Sequence, residues 1–540
     1  MVQDENTSKE KPQVWYDSLE NNQPFEFEVK VSNYAFFLNV SSHSFRAVSI
    51  FPWDLSSLDT LWNGEFSSEP NKLAQWQKIF RKWSGVVAVG GGSKLRLFLS
   101  RPRQQYLPIC EIEIPEMLVH FGGEERMEEA DISCAAWCMV QNADEFWPLV
   151  AFSANSLLYL YNVEKANYHG ILRGHGGKIT SLVVHPADPC ILASTSYDQT
   201  CRIYDLTKRA SCKIDNPHWP RQTRKALAGA TFGLRSNEPE GIDYGRCSAI
   251  LVGGPPGGHV APVLGAAFHP SFPVIATCGM DRAVKIWNLP EVSTDRICRE
   301  ERPLFSSTAI HDAQILSISW MSKDMLLSSC GETLVRLWEL SPTPSPGTLV
   351  LWKWLGFDRF FPLDREAWST VHRGCASDFQ ESSSYKVIAK YNLPGREAST
   401  CTFVFQSPAH MPFIALPSLG GIYLSSVRHF KPRSSPSFGY RIEELAEATN
   451  KLDLNAENRV RARADQNLPC WFVEVTEDGE VKRSGNEDEV REITPRRLKA
   501  CEIAANGCLL IAVGDNESIW IWRIPDGKQV RRVSTSDETR

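Results

Sequence analysis

Short apolar runs separated by tight polar turns recur along most of the chain and predict strands rather than helices. The clearest pair lies in the stretch CGMDRAVKIWNL, residues 278–289, where Asp281 stands between two apolar runs. Neither run alternates strictly with polar residues, which is typical of strands that are buried on both faces. Asp281 is therefore either a catalytic carboxylate in an apolar setting or a residue that the fold itself needs.

The pattern around Asp281 occurs again upstream and downstream. In each clear copy a His is followed by an alternating run, a small-residue run, an acid and a closing aromatic residue. The three clear copies are residues 172–206 with His175, Asp198 and Tyr204, residues 257–289 with His259, Asp281 and Trp287, and residues 310–340 with His311, Glu332 and Trp338. A fourth copy, residues 507–524, keeps Asp515 and Trp522, and weaker copies occupy residues 86–99, 148–163 and 412–427. Seven copies of one strand-rich unit predict a repeat architecture.

The repeated residues have a physical explanation that does not require catalysis. The acid is expected in the turn between two strands, where its carboxylate accepts main-chain N–H bonds. The His, a small hydroxyl residue and the closing Trp or Tyr are expected to join it in a hydrogen-bonded network. A buried charge is tolerated only when it is fully hydrogen-bonded, so the network is predicted to be structural. Because the histidines share one role in separate copies, they are not expected to form a single active site.

These copies resemble the repeats of the WD40 family. The resemblance implies an all-β fold, a seven-bladed WD40 β-propeller with long inter-blade insertions. We expect a flexible N-terminal segment over residues 1–30, one propeller over residues 31–525 and a C-terminal tail over residues 526–540. The Pro-, Gly- and charge-rich stretches that exceed the repeat length are predicted as insertions at about residues 211–256, 341–385 and 429–493.

Composition and charge mainly exclude other classes of protein. The 540 residues are 42% hydrophobic with a net charge of −6, which indicates a globular chain and argues against non-specific nucleic-acid binding. The polar N-terminus and the absence of a long apolar run predict neither a secretory signal nor a membrane span. The 15 Cys are expected to be reduced thiols of the cytosol or nucleus.

Catalytic and metal-binding motifs are missing from the sequence. Cys134 and Cys138 have no second ligand pair at zinc-finger spacing. The stretch VGGGSKL, residues 89–95, lacks the order of a phosphate-binding loop and is interpreted as a hairpin turn. Neither GxSxG nor HExxH occurs. We therefore expect no enzymatic activity, no metal site and no cofactor.

Three segments are also similar to the Polycomb-group WD40 family of EED and extra sex combs. They are CGMDRAVKIWNL, the stretch IHDAQILSISWMSKDMLLSSCGETLVRLWEL at residues 310–340, and LLIAVGDNESIWIW at residues 509–522. Residues 134–163 and 385–418 resemble the second and sixth blades of that family. The resemblance implies a nuclear, non-catalytic scaffold subunit of a histone H3 lysine methyltransferase complex like Polycomb repressive complex 2. The implied partners are an Enhancer-of-zeste-type methyltransferase, other subunits of such a complex and the histone H3 tail.

The same resemblance implies a cage of four aromatic rings that holds trimethyl-lysine by cation–π attraction. The four cage positions fall on Phe45, Ser133, Cys401 and Thr402, so only one of them is aromatic. Nearby, Phe403 and Phe405 alternate in a predicted strand and are interpreted as core residues. We therefore expect that the chain keeps the scaffold role and has lost, or rebuilt, the reading of the histone mark.

Fold alone does not fix function, because propellers serve many unrelated complexes. A WD40 adaptor of another complex, such as a ubiquitin-ligase substrate receptor, remains the alternative hypothesis. A motif for a ligase core would favour it, and none is found. A propeller enzyme would need convergent polar residues at the central channel, and no motif supports one. Neither sequence-specific nucleic-acid binding nor membrane binding is expected.

Overall fold

Seven antiparallel units of four strands each form the body of the molecule, and the outermost strands of the second and third units, Asn167–Leu172 and Gly241–Leu251, also pair with each other. We number these units as blades 1–7, in the order in which the chain enters their innermost strands. The computed structural model describes residues 15–31, 44–101, 108–114, 117–121, 124–128, 130–142, 145–210, 240–254, 257–289, 297–334, 344–362, 376–394, 403–407, 410–432, 466–475, 497–504, 507–515 and 517–525. The prediction of an all-β fold with seven propeller blades is confirmed.

The strands of each blade are given from the innermost outwards. Blades 1–3 consist of Ala47–Ile50, Val86–Gly91, Lys94–Leu99 and Pro108–Glu113; Ile132–Asn142, Glu145–Ala154, Leu157–Asn162 and Asn167–Leu172; and Ile179–Val184, Ile191–Ser196, Cys201–Arg209 and Gly241–Leu251. Blades 4–7 consist of Val263–Phe268, Val274–Gly279, Val284–Asn288 and Phe305–Ser307; Ile315–Trp320, Met325–Cys330, Thr348–Trp354 and Tyr385–Asn392; Phe403–Ser407, His410–Ser418, Gly421–Ser426 and Trp471–Glu474; and Leu498–Ala504, Leu509–Gly514, Ile519–Arg523 and Glu26–Val31.

Shorter strands and several helices are present in addition to the four strands of each blade. Additional strands are the hairpins Met117–Phe121 with Glu124–Glu128 and Thr333–Leu334 with Pro344–Ser345, and the parallel edge strands Cys298–Glu300 on blade 3 and Gln466–Asn467 on blade 5. The α-helices are Pro70–Trp83, Phe357–Phe360 and Ala376–Phe379, and the 3₁₀ helices are Trp15–Asp17, Ser57–Asp59, Leu61–Gly64 and Val427–His429. In the described part of the chain, no helix is long and apolar enough to cross a membrane.

Seven clusters of buried apolar side chains lie between consecutive blades, one at each interface of the ring. Between blades 3 and 4, for example, Ile203 and Leu251 pack with Trp287. Each blade therefore buries both of its faces, which explains why every residue of Val274–Gly279 is buried. The apolar runs of the sequence are required by this stacking.

The ring is closed by the N-terminal strand. Glu26–Val31 pairs antiparallel with Ile519–Arg523 as the outermost strand of blade 7, and Arg523 Nε donates to Glu28 Oε2 over 3.0 Å. Just upstream, the Trp15 and Tyr16 rings pack on Phe413 of blade 6. Residues 15–31 therefore form a helical turn and a blade strand within the segment expected to be flexible, and residues 1–14 lie outside the described residues. A strand that pairs with the opposite end of the chain leaves no local pattern by which to find it.

Three blade strands lie within the ranges that the sequence analysis assigned to insertions. Gly241–Leu251 and Trp471–Glu474 are outermost strands, and Thr348–Trp354 is the third strand of blade 5. Each of these strands is separated in sequence from the strand it pairs with by a long or irregular connection, so no compact repeat marks it. In blade 5 the chain offers two Trp-containing runs, and the structure pairs the second one, TLVLWKW, with Met325–Cys330.

A helical segment between the first and second strands of blade 1 packs against blade 2. The helix Pro70–Trp83 begins with Pro at its first position, where the missing N–H costs nothing. Trp76, Ile79 and Trp83 form its buried face at helical spacing. Trp76 Nε1 donates to the Asp54 carbonyl over 2.9 Å, and its ring lies 5.8 Å from that of Phe146 in blade 2.

Candidate functional site

A buried chain of hydrogen bonds crosses blade 4. Trp287 Nε1 donates to Thr277 Oγ1 over 2.8 Å, and Thr277 Oγ1 lies 2.8 Å from His259 Nε2. His259 Nδ1 lies 2.9 Å from Asp281 Oδ2. Burial lowers the pKa of His259, so its ring is neutral. In that state Nε2 accepts the Thr277 hydroxyl proton and the Nδ1–H group donates to Asp281, which satisfies every member of the chain.

Asp281 occupies the turn between the second and third strands of blade 4. Besides His259, its carboxylate accepts the main-chain N–H groups of Val260 and Ala283, at 3.0 and 3.1 Å. Burial alone would raise the pKa of Asp281, but these hydrogen bonds hold it below its usual value. The turn and the loop before the first strand therefore meet on one side of the blade. We call this side of the propeller, where such turns and loops lie, the upper face.

Blade 3 contains the same arrangement. His175 Nδ1 lies 2.9 Å from Asp198 Oδ2, and His175 Nε2 lies 2.7 Å from Ser194 Oγ. Thr200 Oγ1 donates to Asp198 Oδ1 over 2.7 Å. Although burial opposes ionisation of Asp198, the adjacent His175 holds the pKa of that carboxyl below its usual range. Tyr204 takes the place of the Trp, and burial raises the pKa of its hydroxyl above the usual range while Ser194 bonds to it.

Blade 5 keeps the histidine and the hydroxyl but replaces the other partners. His311 Nε2 lies 2.7 Å from Ser328 Oγ, which also accepts Trp352 Nε1 over 3.1 Å. Thr348 Oγ1 lies 3.5 Å from His311 Nδ1, on the side where blades 3 and 4 have an aspartate. Burial lowers the pKa of His311 to about 3. Trp338, which the sequence analysis put in this network, lies outside the described residues, and Trp352 occupies the closing position.

Blade 7 has the turn acid without the histidine. Asp515 Oδ1 accepts Ser44 Oγ over 2.9 Å and lies 3.3 Å from Lys499 Nζ. Trp522 is 1% exposed, and its ring meets that of Phe27 edge-on at 6.2 Å. The described residues of this blade contain no histidine. The structure therefore does not bring Asp515 and Trp522 into a network of the kind seen in blades 3 and 4.

Buried cations accompany the turn acids, and the sequence analysis missed them. Arg202 is 1% exposed and lies close enough to Asp198 to favour its ionised form. Lys285 is 5% exposed, and its Nζ donates to Ser306 Oγ over 2.7 Å. Burial lowers the pKa of Lys285 to about 8, while the charge of Asp281 opposes that shift. Each cation stands two residues before the closing aromatic, which is the sequence signal that could have found it.

The first of the expected cage positions is closed by the chain itself. Phe45 is 2% exposed and belongs to the apolar cluster between blades 7 and 1. The Arg96 guanidinium lies 5.5 Å from the centre of the Phe45 ring. Arg96 is held there by Glu517 at 2.7 Å and Glu111 at 2.8 Å. The ring face that could meet a ligand cation is covered by an internal cation.

The other expected cage positions do not add aromatic walls. The Ser133 hydroxyl donates to the Ile179 carbonyl over 2.9 Å and lies 2.9 Å from Ser153 Oγ, so it links blades 2 and 3. Cys401 and Thr402 lie outside the described residues. The two cage positions that the structure describes thus supply one buried ring, Phe45, and one hydrogen-bonded hydroxyl, Ser133. Within the described residues, no three His, Cys, Asp or Glu side chains are grouped so as to hold a metal ion.

The blades with complete networks are also those that match a known family. The model of the WD domain, G-beta repeat, matches residues 167–205 and 247–288, which span most of blades 3 and 4. The chain thus contains WD40 repeats in these two blades. It also resembles the Polycomb protein EED of Chaetomium thermophilum, with 27% identity over 230 residues, 41% of this chain and 34% of the relative.

A plant relative gives a similar match to this WD40-repeat protein. The Polycomb group protein FIE1 of Zea mays is 24% identical over 209 residues, 36% of this chain and 37% of the relative. The chain thus spans about a third of the length of these two curated relatives.

Solved structures extend the comparison to the whole propeller. A chain in the crystal structure of the Chaetomium thermophilum Polycomb repressive complex 2 is 16% identical, with 94% of this chain and 99% of that chain covered and a TM-score of 0.57. A chain of an active Polycomb repressive complex 2 in the basal state has the same identity and coverage and a TM-score of 0.54. At this level of identity, the likeness shows a shared fold.

Proposed function

We propose that this WD40-repeat protein is a non-catalytic scaffold subunit of a complex like Polycomb repressive complex 2. In this role it binds and supports an Enhancer-of-zeste-type histone H3 lysine methyltransferase, together with the other subunits of such a complex. The proposed place of action is the nucleus, in transcriptional repression and heterochromatin.

The observation that carries the proposal is the match along nearly the whole length of both chains. A chain of the Chaetomium thermophilum complex is covered over 99% of its length, and Polycomb proteins are among the relatives that resemble the sequence. The described polar clusters support a non-catalytic role, because each histidine network is saturated by groups of its own blade. A saturated network has no free base or nucleophile to offer a substrate.

We propose further that this protein does not read trimethyl-lysine at the position its relatives' alignment suggests. The support comes from Phe45, which is buried and already faces the Arg96 guanidinium, and from Ser133, whose hydroxyl is engaged between blades 2 and 3. A trimethylammonium group needs several open ring faces around it, and one covered ring does not supply them.

Affinity purification of the tagged full chain from its native cells, followed by mass spectrometry, tests the scaffold role. We expect a SET-type histone methyltransferase among the specifically recovered proteins, at a level well above that in a purification with the tag alone. Reconstitution of the recovered enzyme with and without this chain should then show higher methylation of histone H3 with it. Recovery of cullin components without a methyltransferase would favour the ubiquitin-ligase alternative.

Calorimetric titration of the purified chain with a trimethyl-lysine H3 peptide and its unmodified twin tests the loss of mark reading. We expect no saturable difference between the two peptides. Micromolar binding of the trimethylated peptide that Phe45→Ala abolishes, while Ser133→Ala leaves it intact, would contradict the proposal. Thermal unfolding of both variants must accompany the titration, because Phe45 is part of the core between blades 7 and 1.

A further inference from the structure

Three large apolar side chains are exposed next to one another on the upper face of blades 3 and 4. Tyr197 is 51% exposed, Val260 is 63% exposed and Met280 is 41% exposed. Tyr197 precedes the turn acid of blade 3, and Met280 precedes that of blade 4. Single exposed apolar residues need no explanation, but a group of them on one face is typical of a binding surface.

Main-chain contacts place these residues on neighbouring turns and loops of the upper face. The Val260 N–H group bonds to the Asp281 carboxylate, one residue from Met280, and the Met280 N–H group bonds to the Pro262 carbonyl over 2.9 Å. Towards blade 3, Gly253 lies between Gln199 and the His259 carbonyl, which brings the Tyr197 turn beside the Val260 loop.

Basic side chains flank this surface on both sides. At one end, Arg282 is exposed and has a left-handed backbone conformation with φ of 63°. At the other end, the Tyr197 N–H group bonds to the Lys178 carbonyl. Lys178 Nζ and Arg46 Nη1 lie 2.6 and 2.9 Å from the same Asp131 oxygen. Two cations thus share one carboxylate there, which leaves an excess of positive charge.

We call this surface the upper arc. It consists of Arg46, Lys178, Tyr197, Val260, Met280 and Arg282. Its excess of positive charge contrasts with the net charge of −6 of the whole chain. The two turn acids beneath it do not cancel that excess, because Asp198 and Asp281 are buried and each has a buried cation nearby, Arg202 and Lys285.

We propose that the upper arc binds an acidic segment of a partner protein that carries an apolar side chain. The apolar side chain packs among Tyr197, Val260 and Met280, and the flanking carboxylates face Arg282 on one side and Lys178 on the other. Tyr, Met and Arg are the residue types enriched at protein interfaces, and charge complementarity orients the partner. This inference goes beyond the proposed scaffold role and does not depend on the presence of a methyltransferase.

Other occupants fit the upper arc less well. A basic histone tail would meet like charge at Lys178 and Arg282, which disfavours it. A nucleic acid would need a wider basic stripe and open aromatic platforms, whereas the centre of the arc is aliphatic at Val260 and Met280. A second copy of the chain exposes Ile109 beside Glu111 and Glu113 on the outermost strand of blade 1, so self-association is one of the outcomes that the test distinguishes.

Fluorescence anisotropy with the full chain and a labelled peptide tests the inference. The probe is a 12-residue peptide in which Asp-Glu pairs alternate with Leu or Phe. The control peptide has Lys and Arg in place of Asp and Glu. We expect the acidic peptide to bind and the basic control peptide not to bind. Arg282→Glu and Val260→Ser should each weaken binding by about fivefold or more, as expected for a flanking charge and a buried anchor.

Matched controls lie elsewhere on the surface. Leu355 is 54% exposed in blade 5, and Lys386 is exposed on the outermost strand of that blade. Leu355→Ser and Lys386→Glu should leave binding unchanged, and all four variants should unfold at the temperature of the parent chain. Binding should also weaken as salt rises, because exposed charges are screened.

Several results would overturn the inference. They are equal binding of both peptides, an Arg282→Glu variant that binds the acidic peptide as well as the parent does, or failure of the acidic peptide to bind at all. Tighter binding of a single-stranded oligonucleotide or of the H3 peptide at the same residues would assign the arc to that ligand instead. Self-association that Val260→Ser abolishes in sedimentation would assign it to a second copy.

Discussion

His175, His259 and His311 each meet a hydroxyl with one ring nitrogen, and His311 differs from the other two at the second nitrogen. His259 donates to an aspartate that itself accepts two main-chain N–H groups, whereas His311 has Thr348 at 3.5 Å. The aspartate therefore joins the loop, the turn and the third strand of its blade through a single side chain. Loss of that side chain leaves several buried donors unpaired, and each unpaired donor costs about 1–3 kcal/mol.

Replacement of the blade 4 turn acid tests this argument. We expect Asp281→Ala to lower the free energy of unfolding by about 2–4 kcal/mol, since His259 and the Val260 N–H group lose their acceptor. Urea unfolding followed by tryptophan fluorescence measures the change. The matched control is Glu332→Ala at the corresponding turn of blade 5, where Thr348 stands beside the histidine, and a clearly smaller loss is expected. Equal losses in the two variants would argue against the network.

Glu502 makes stability depend on pH. Its Oε2 accepts the Ile50 N–H group over 2.8 Å, which links the innermost strands of blades 7 and 1, and burial raises the pKa of Glu502 to about 8. Between the ordinary pKa of a glutamate and pH 8, the folded state keeps a proton that the unfolded state loses. Folding is therefore favoured below this window and becomes less favourable as pH rises through it.

The variant Glu502→Gln isolates this contribution, because the amide oxygen can still accept the Ile50 N–H group. Relative to the parent chain, the variant should gain about 2 kcal/mol of stability between pH 5 and pH 8, since each tenfold change in proton affinity is worth about 1.4 kcal/mol. The gain in stability stays below the value that the whole pKa shift of Glu502 would give, because Glu502 retains some contact with solvent. Urea unfolding of both proteins at several pH values measures it, and a constant difference would contradict the prediction.

At the scale of elements, blade 5 has an unusual third strand. The chain leaves the second strand at Cys330, forms the short hairpin of Thr333–Leu334 with Pro344–Ser345, and only then enters Thr348–Trp354. Trp352 is fully buried, and its ring stacks on Phe305 of blade 4 at 5.4 Å. The strand therefore supplies both the closing aromatic of its own network and a contact across the blade interface.

A pair of Trp substitutions tests which run forms this strand. Trp352→Ala should lower the free energy of unfolding by about 3–5 kcal/mol, because it opens a large cavity and frees the Ser328 hydroxyl. Trp338→Ala, in the other candidate run, is the matched comparison and should cost far less. Thermal and urea unfolding of the two variants measure the loss of unfolding free energy. A larger loss for Trp338→Ala would assign the third strand of blade 5 to residues 334–340 instead.

Elements with a local pattern could be predicted from the sequence, and elements defined by distant pairing could not. Six of the seven pairs of second and third strands were found, because each joins two apolar runs by a short turn; in blade 5 the third strand is Thr348–Trp354, beyond the run that ends the repeat in the sequence. The outermost strands Gly241–Leu251 and Glu26–Val31 were missed, since what defines them is a partner far away in sequence. The same limit applies to the site. The contacts of His259 with Asp281 follow from the repeat, but the Arg96 contact that covers Phe45 depends on two carboxylates from different blades.

At the scale of the whole molecule, the ring depends on its last interface being as tight as the others. The N-terminal strand fills the outer edge of blade 7, and the segment before it packs on blade 6. Trp471 Nε1 of blade 6 donates to the Asn21 carbonyl over 2.9 Å, and Phe25 is 6% exposed in the same apolar cluster. Residues 15–31 thus join blades 6 and 7 from outside and close the ring non-covalently.

A shortened chain that lacks this segment, and a peptide that adds it back, test whether residues 15–31 close the ring. A chain that begins at residue 32 should lose at least about 4 kcal/mol of unfolding free energy, since a buried Phe alone contributes about that much, and its open edge at Ile519–Arg523 should promote association. A synthetic peptide of residues 15–31 should restore the unfolding temperature by adding back the missing strand. The control peptide has Phe25 and Phe27 replaced by Ser and should not restore it. If the shortened chain unfolds at the parent temperature, residues 15–31 are dispensable, and the six remaining interfaces suffice to hold the ring.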